Sequence, residues 1–347
     1  MQLSRYNISQ LASVKVVRDP VAGAFARTPL RPDVYMGIEI EGEDAVVSTN
    51  MYAELNTLGW SVHGDDSLRH GGVEFVLSDP LNGDLLASAI YGMFQLRRDR
   101  ELTWDPSPRA GTHFHINVSD KTVGFVQAFT ALAYCLDELI FLVAGEDRRW
   151  CSYCNSMNTL PVNVLRSLLI NREYEAYEGW AGAWPVSSRD RYYGVNLSAV
   201  SKFGTVELRH FPTPVREEQL WDWMDLCQIL YTVAEEFENS ESPAADVLDA
   251  LQDPAAILSK FPMFSSIEDA AERVQAAAEE LGLVLTFEED HAGNAAVPTG
   301  VRATLPYLSE GPDLAAFIQA AGASMRASYF EEHYPDPDTA FPTSEEL

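Results

Sequence analysis

Positive charge is scarce in this chain of 347 residues. It has 24 Lys and Arg residues against 52 Asp and Glu residues, and its formal net charge at pH 7 is −28. Proteins that hold a nucleic-acid backbone depend on clustered Lys and Arg side chains. The composition therefore argues against direct binding of a nucleic-acid backbone, although a local cationic pocket for a nucleotide remains open. Most of the negative charge is explained by solubility.

Two nucleotide-binding signatures are missing, and cysteine is rare. There is no glycine-rich P-loop and no dinucleotide fingerprint, so any bound nucleotide must be held by a different kind of binding site. Of the four cysteines, Cys135 and Cys227 lie in apolar, helix-like stretches and are interpreted as small core residues. Cys151 and Cys154 have the spacing of a zinc or redox pair, but no second pair of Cys or His lies nearby. We interpret that spacing as structural and leave open whether these two cysteines matter for function.

No positively charged leader followed by an apolar core opens the sequence, so we expect a cytoplasmic, reducing location. The longest apolar segment, Val123–Val143, contains Gln127, Asp137 and Glu138. Polar groups at these positions fit a buried helix better than a membrane span. We therefore expect no membrane association.

The order of the predicted elements is mixed, which favours an α+β fold with an antiparallel sheet. Residues 1–33 are predicted to form an N-terminal arm, and residues 34–238 the main domain. Strands are predicted over 191–199 and 204–210. Residues 239–347 hold 20 acidic and 4 basic side chains. They are predicted to form a mainly helical region, packed on or extending the main domain, with a helix over 313–332.

Four short segments beside glycines combine β-branched or aromatic residues with acids, imidazoles or a guanidinium. They are Gly37–Glu41, Gly72–Phe75, Gly111–Asn117 and Gly204–Arg209. Side chains alternate between the two faces of a strand. This alternation groups Glu39 with Glu41, His113 with His115 and Asn117, and Glu207 with Arg209. The pattern predicts a sheet with one apolar face and one face that carries charged and metal-ligating groups.

Carboxylates gathered on one strand face repel each other unless a cation lies among them. Mg²⁺ prefers carboxylate oxygens, water and substrate phosphates as ligands. The candidate carboxylates are Glu39, Glu41, Glu74 and Glu207, with a fifth from Asp65 or Asp66. Arg209 and Arg191 are always charged and suit two-point binding of a carboxylate or a phosphate. The set has the parts that phosphoryl transfer needs, without an obvious covalent nucleophile.

The order of these motifs resembles the carboxylate–amine ligase superfamily. This superfamily includes glutamine synthetase, glutamate–cysteine ligase and the amidoligase family, which is common in phages and bacteria. The motifs that carry the resemblance are Gly-Ile-Glu-Ile-Glu, Asp65-Asp66-Ser67-Leu68 with Gly-Val-Glu-Phe, Thr-His-Phe-His-Ile-Asn, Arg191-Tyr-Tyr-Gly-Val-Asn196 and Thr-Val-Glu-Leu-Arg. The resemblance covers roughly residues 34–235.

The resemblance implies a fold and a role for each matched residue. The fold would be a curved, mainly antiparallel sheet with a metal-binding concave face and helices on the other face, like the catalytic domain of glutamine synthetase. It implies one metal site formed by Glu39, His113 and Glu207, and a second formed by Glu41, Glu74 and Asp65. His115 would contact the nucleotide, and Arg191 and Arg209 would contact phosphates or the substrate. Asn196 would line the site. Asp66 stands where the family pattern more often has glycine, so which of Asp65 and Asp66 faces the metal stays open.

The function implied is an ATP-dependent ligase that uses Mg²⁺, or Mn²⁺, and joins a carboxylate to an amine through an acyl phosphate. Its substrates would be small molecules, amino acids or peptides, and a homo-oligomer is an expectation by analogy. Two alternatives stay open. One is a metal-dependent oxygenase-like barrel enzyme that uses His113 and His115, and the other is an inactive interaction protein that keeps the ligase fold. The sequence does not name the acid or the amine.

Overall fold

The computed structural model describes residues 30–65, 67–99, 102–145, 148–149, 151, 153–170 and 190–285. Its strands are β1 (Met36–Val47), β2 (Trp60–Gly64), β3 (Val73–Leu77), β4 (Leu102–Asp105), β5 (Gly111–Asn117), β6 (Val195–Asn196) and β7 (Thr205–Pro212). Its helices are α1 (Thr49–Thr57), α2 (Gly83–Arg98), α3 (Val123–Ala144), α4 (Val162–Ile170), α5 (Ser198–Phe203), α6 (Glu217–Glu235), α7 (Pro243–Ala250), α8 (Ala255–Leu258) and α9 (Ala270–Leu285). Short 3-10 turns cover Met157–Thr159, Asp190–Tyr192 and Pro262–Phe264.

One sheet organises the described residues. Its strands follow the order β2-β3-β1-β5-β7-β6, with β4 paired to β1, and every described pairing is antiparallel. The path is open, because it ends at β2 and β6 within the part of the chain that the structure describes. The mixed α and β character and the mainly antiparallel sheet are confirmed. The predicted curvature and the likeness to the catalytic domain of glutamine synthetase stay predictions.

The longest strand, β1, changes partners along its length. Its first half pairs with β3 and β5, whereas its second half pairs with β4, with a shift of register between Glu43 and Val46. Asp44 has a φ of 48° at this point. Such a β-bulge bends the strand and ends one pairing. The bulge therefore lies directly after the acidic segment that contains Glu39 and Glu41.

The alternation along the strands separates the sheet into an apolar and a polar face. The apolar face carries Ile38, Ile40, Phe114, Ile116, Val206 and Leu208, all of them fully buried. Helix α3 packs on β7, and α6 packs on β5 and on α3. Burial of a large aliphatic or aromatic side chain contributes about 1.5–3 kcal/mol. The apolar half of the alternation thus fixes which way the polar half points.

Helix α3 is largely buried within the fold. The Thr122 side chain caps it by accepting a hydrogen bond from the Phe125 backbone N–H at 3.2 Å. Within the described residues it is the one helix long and apolar enough to cross a membrane, yet 83% of its most apolar window is buried inside the protein. Helices α6, α7 and α9 pack against it. Helix α3 is therefore a core helix, as the polar residues within its apolar sequence predict.

The strand predicted over 191–199 is mostly wrong. Only Val195–Asn196 is extended, between the 3-10 turn at Asp190–Tyr192 and helix α5. The Asn196 side-chain oxygen accepts hydrogen bonds from the Ser198 backbone N–H, at 3.0 Å, and from its hydroxyl group. Asparagine side chains that bond to the backbone two residues later end regular structure and favour turns. This local bond converts the predicted strand into a two-residue bridge and a helix.

The predicted boundaries at 34 and 238 stay predictions. Helices α7 and α9 lie in the acidic C-terminal region and contact α3. The predicted helix over 313–332 and most of the predicted N-terminal arm lie outside the described residues.

Gly42 on the apolar face leaves no room for a side chain. A Cβ added there would lie 2.5 Å from Cβ of Trp104, which packs its ring against Phe75. We expect Gly42→Ala to lower the free energy of unfolding by about 1–3 kcal/mol, because overpacking displaces neighbours. Gly64→Ala is the matched control, since nothing lies within 4 Å of its added Cβ. Urea unfolding of both variants tests this, and equal stabilities would contradict it.

Candidate active site

The register of the sheet brings acids and imidazoles directly opposite each other. Glu39 of β1 faces His113 of β5, and Glu207 of β7 faces His115 of β5. Directly opposed residues of an antiparallel pair hold their Cβ atoms about 4.5–5.5 Å apart on one face. Further pairs are Glu41 with Glu74 and Asn196 with Glu207. Five strands thus build one polar surface.

Glu39 lies at the centre of this surface. Its Oε2 atom is 3.0 Å from Nδ1 of His113, and its Oε1 atom is 3.2 Å from Nε2 of His115. Burial alone would raise the pKa of the Glu39 carboxyl group, but its interactions with the imidazoles of His113 and His115 outweigh burial and hold that pKa well below its usual range. Glu39 is therefore a carboxylate with both oxygens directed at imidazoles.

Glu207 is the second buried carboxylate of the cluster. Arg209 donates to its Oε1 atom, and Asn196 Nδ2 donates to its Oε2 atom at 2.6 Å. Burial raises the pKa of Glu207, but the positive charges of Arg209 and the two histidines overcome this and lower it. The Asn196 bond also fixes the orientation of the carboxylate. Glu207 is thus held ionised and in place.

Glu41 and Glu74 extend the cluster towards β3. The backbone N–H of Gly111 donates to Oε2 of Glu41 at 2.7 Å. Burial and the negative charges of Glu39, Glu41 and Asp65 raise the pKa of Glu74 to about 8. A carboxyl group that keeps its proton near neutral pH indicates that negative charge is concentrated around it. This face of the sheet is therefore electrostatically suited to a divalent cation.

Two groups of three residues have the spacing of a metal site. One is Glu39, His115 and Glu207, and the other is Glu39, Glu74 and His113. Within each group the potential ligand atoms lie within 4.8 Å of one another. Both groups contain Glu39, so this one carboxylate could contribute a ligand to either group.

The two histidines fit metal ligation at one particular nitrogen. Nε2 of His113 and Nε2 of His115 are buried and have no hydrogen-bond partner among the described residues. His115 Nε2 lies 3.2 Å from Glu39 without hydrogen-bond alignment, while its Nδ1 atom is 3.1 Å from the Thr205 hydroxyl group. A ligating imidazole commonly uses its other nitrogen for such a bond, which sets its orientation. Buried Nε2 atoms without a partner fit the donor set of a divalent-cation site.

The structure brings together the implied set of Glu39, His113 and Glu207, since His113 Nδ1 lies 3.0 Å from Glu39 Oε2 and 3.6 Å from Glu207 Oε1. The two groups with metal-site spacing divide the residues differently. His115 lies among Glu39 and Glu207, where a nucleotide contact is implied, and Glu74 groups with Glu39 and His113. The Asp65 carboxylate accepts a hydrogen bond from the Ser67 backbone N–H at 2.8 Å. Asp66 lies outside the described residues. The assignment of particular ligands to particular ions stays a prediction.

Arg191, Cys151 and Cys154 belong to neither group with metal-site spacing. Arg191 is exposed, and its guanidinium carbon lies 4.7 Å from the ring centroid of Tyr192. Cys151 and Cys154 are free thiols. Burial raises the pKa of Cys154 to about 12, so this thiol is unreactive at neutral pH. The Cys151 and Cys154 spacing has no metal partner among the described residues.

Several groups that support the site escape sequence reasoning. Arg148 is buried and donates from Nη1 to the Ala110 carbonyl oxygen at 3.0 Å, which holds the loop that leads into Gly111. Thr205 on β7 orients His115 on the neighbouring strand β5 through a hydrogen bond between its hydroxyl group and Nδ1 of the imidazole. No local pattern predicts these contacts, because each joins residues that are at least 38 positions apart in the chain.

Residues 72–231 match the model of a family described as "putative amidoligase enzyme". The matched region runs from the start of β3 into α6 and contains Glu74, both histidines of β5 and Glu207. No curated protein matches the chain. The match supports assignment of this chain to the amidoligase family.

Proposed function

We propose that this protein is an ATP- and Mg²⁺-dependent carboxylate–amine ligase that forms an amide bond through an acyl phosphate. The proposal rests on the two sets of three residues with metal-site spacing, each of which contains Glu39, one further glutamate and one histidine. A divalent cation in such a cluster suits phosphoryl transfer, where catalysis consists mainly of positioning and charge stabilisation. The match to the amidoligase family supports the same class of reaction.

The residues that would hold the cations are those of the two groups, with Glu41 beside them. Bound Mg²⁺ or Mn²⁺ would neutralise phosphate charge and align it with a carboxylate oxygen. Oxygen ligands suit Mg²⁺, and an imidazole within the set also suits Mn²⁺. The buried Nε2 atoms of His113 and His115 are the donors left free for this role.

Arg209 is the fixed positive charge at the edge of the cluster. It donates to Glu207 and lies within 3.4 Å of the Tyr153 carbonyl oxygen through its Nε atom. Burial lowers the pKa of Arg209, but the charges of Glu207 and Glu41 outweigh it and raise that pKa above its ordinary value. A guanidinium held in this way would bind the oxygens of the transferred phosphoryl group or of the substrate carboxylate. Asn196 would act through Glu207 by fixing its orientation.

The oxygenase-like alternative is less well supported. Iron centres of that class use two histidines and one carboxylate on one ion. Here each histidine has its own group, and each group contains two glutamates. The inactive-scaffold alternative does not explain the buried, like-charged carboxylates, since burying such groups costs folding free energy.

The test is a screen for ADP formation by the full chain with ATP and Mg²⁺, and in parallel with Mn²⁺. Panels of amino acids, amines and small peptides serve as candidate substrates, and mass spectrometry identifies any amide product. We expect ADP formation that depends on both an acid and an amine. Absence of ADP with every pair from folded protein would contradict the proposal, and bound iron with oxygen consumption would favour the alternative.

A further inference from the structure

A second group of polar and aromatic side chains lies beside Arg209. Arg109 Nη2 donates to the Tyr153 hydroxyl group at 2.6 Å, and Arg191 donates to the Tyr192 hydroxyl group. The two tyrosine rings meet edge to face, with their centroids 5.8 Å apart. Arg109, Tyr153, Arg191 and Tyr192 are called the Arg–Tyr cluster below. It combines two guanidinium groups with a pair of rings.

The Arg–Tyr cluster is continuous with the candidate active site. The guanidinium carbon of Arg209 lies 5.8 Å from the centroid of the Tyr192 ring, and its Nε atom approaches the Tyr153 carbonyl oxygen. Arg109 precedes Gly111, whose N–H binds Glu41, by two residues. A molecule bound at the cluster therefore extends from the carboxylates of the sheet.

The backbone that carries the tyrosines is fixed by bonds within the fold. The Asn155 N–H donates to the Tyr192 carbonyl oxygen at 2.6 Å, and the Gly194 N–H donates to the Asn155 carbonyl oxygen at 2.8 Å. Buried Asp137 accepts a hydrogen bond from the Ser156 hydroxyl group at 2.6 Å. The cluster is thus held in place before any ligand binds, which lowers the cost of binding.

The charges of the cluster are not neutralised by the protein. Arg31, Arg98 and Arg273 each pair with a carboxylate. Arg109 and Arg191 instead donate to neutral tyrosine hydroxyl groups, and neither forms an ion pair with a carboxylate in the described part of the chain. The Nε atom of Arg109 is buried and has no hydrogen-bond partner there. Guanidinium groups that lack a carboxylate partner suit the binding of an anionic group.

We propose that the Arg–Tyr cluster binds a carboxylate of the ligase substrate other than the carboxylate that is activated. This inference rests on the proposed function and assigns the substrate class to amino acids or peptides that carry a further free carboxylate. The planar guanidinium of Arg109 binds the two carboxylate oxygens, and the tyrosine rings contact the adjoining carbon chain. A nucleotide phosphate is the competing anion at this position, and the experiment separates the two.

The experiment compares free amino acids and dipeptides with their C-terminal amides in the ADP assay, at saturating ATP and Mg²⁺. We expect the free acids to have at least about tenfold higher kcat/KM than the amides, because the amides lose the charge-assisted bonds to the guanidinium. Arg109→Gln removes this preference, while the KM for ATP and the rates with the amides stay unchanged. Arg98→Gln is the matched control, because Arg98 pairs with Glu217 outside the cluster.

Two results overturn the inference. The first is an equal kcat/KM for acids and amides in the unsubstituted protein. The second is an effect of Arg109→Gln on the KM for ATP alone, which would mean that the cluster binds a nucleotide phosphate. If no pair yields ADP, the proposed function fails separately. Calorimetric titration of the same acids and amides into ATP-free protein then tests the cluster directly. Tighter binding of the acids that Arg109→Gln abolishes supports a carboxylate site at the cluster. Equal binding of acids and amides overturns the inference.

Discussion

Replacement of Glu39 by glutamine is expected to lower ADP formation by more than about 100-fold, since loss of groups that merely orient metal ligands already costs about 10–100-fold. Glu39 is common to both groups with metal-site spacing, and its two oxygens approach His113 and His115. Glutamine has the same shape but presents one neutral oxygen and an amide N–H donor. The amide therefore removes a charged ligand from both proposed cation sites at once, and the initial rate of ADP release with Mg²⁺ and ATP measures the loss.

The matched control is Glu54→Gln on α1. Glu54 is exposed and lies outside the carboxylate cluster. This variant is expected to retain the full rate, and circular dichroism checks that both variants are folded. If Glu39→Gln turns over within about threefold of the unsubstituted protein, the site assignment is refuted, since a factor of three corresponds to only about 0.6 kcal/mol.

Replacement of Phe114 by alanine is expected to lower the free energy of unfolding by about 3–5 kcal/mol. Phe114 is fully buried and meets the ring of Phe211 edge to face, with centroids 5.1 Å apart. It lies on β5 between His113 and His115 and points to the opposite face of the sheet. Its removal opens a cavity under the strand that carries both imidazoles, and urea unfolding measures the cost.

Phe203→Ala provides the comparison for this loss of stability. The Phe203 side chain is 57% exposed, so its removal leaves no internal cavity. We expect a change of no more than about 0.5 kcal/mol. Similar losses at Phe114 and Phe203 would contradict the placement of β5 in the centre of the core.

The sequence predicts the polar face of the sheet because alternation and burial act together. Ile38 and Ile40 must point into the core, so Glu39 and Glu41 must point away from it. The same reasoning places His113 and His115 on the face opposite Phe114. The cross-strand register that sets Glu39 against His113 is beyond this reasoning, since it depends on how separate segments pair.

Other parts of the site depend on contacts that no local pattern reveals. The strand predicted over 191–199 fails because one asparagine side chain bonds to the backbone and starts α5. The Arg–Tyr cluster joins residues 109, 153 and 192 through side-chain contacts between distant segments. Periodicity describes which face a residue occupies on its own element, and it carries no information on such partners.

Titration of Mn²⁺ into the ATP-free protein, followed by electron paramagnetic resonance, tests most directly whether the sheet holds divalent cations. The account predicts that the unsubstituted protein and Glu54→Gln take up Mn²⁺ with the same affinity. It also predicts that Glu39→Gln weakens this uptake by at least about tenfold, as expected for loss of a shared ligand. Equal Mn²⁺ affinity in Glu39→Gln and the unsubstituted protein would contradict it.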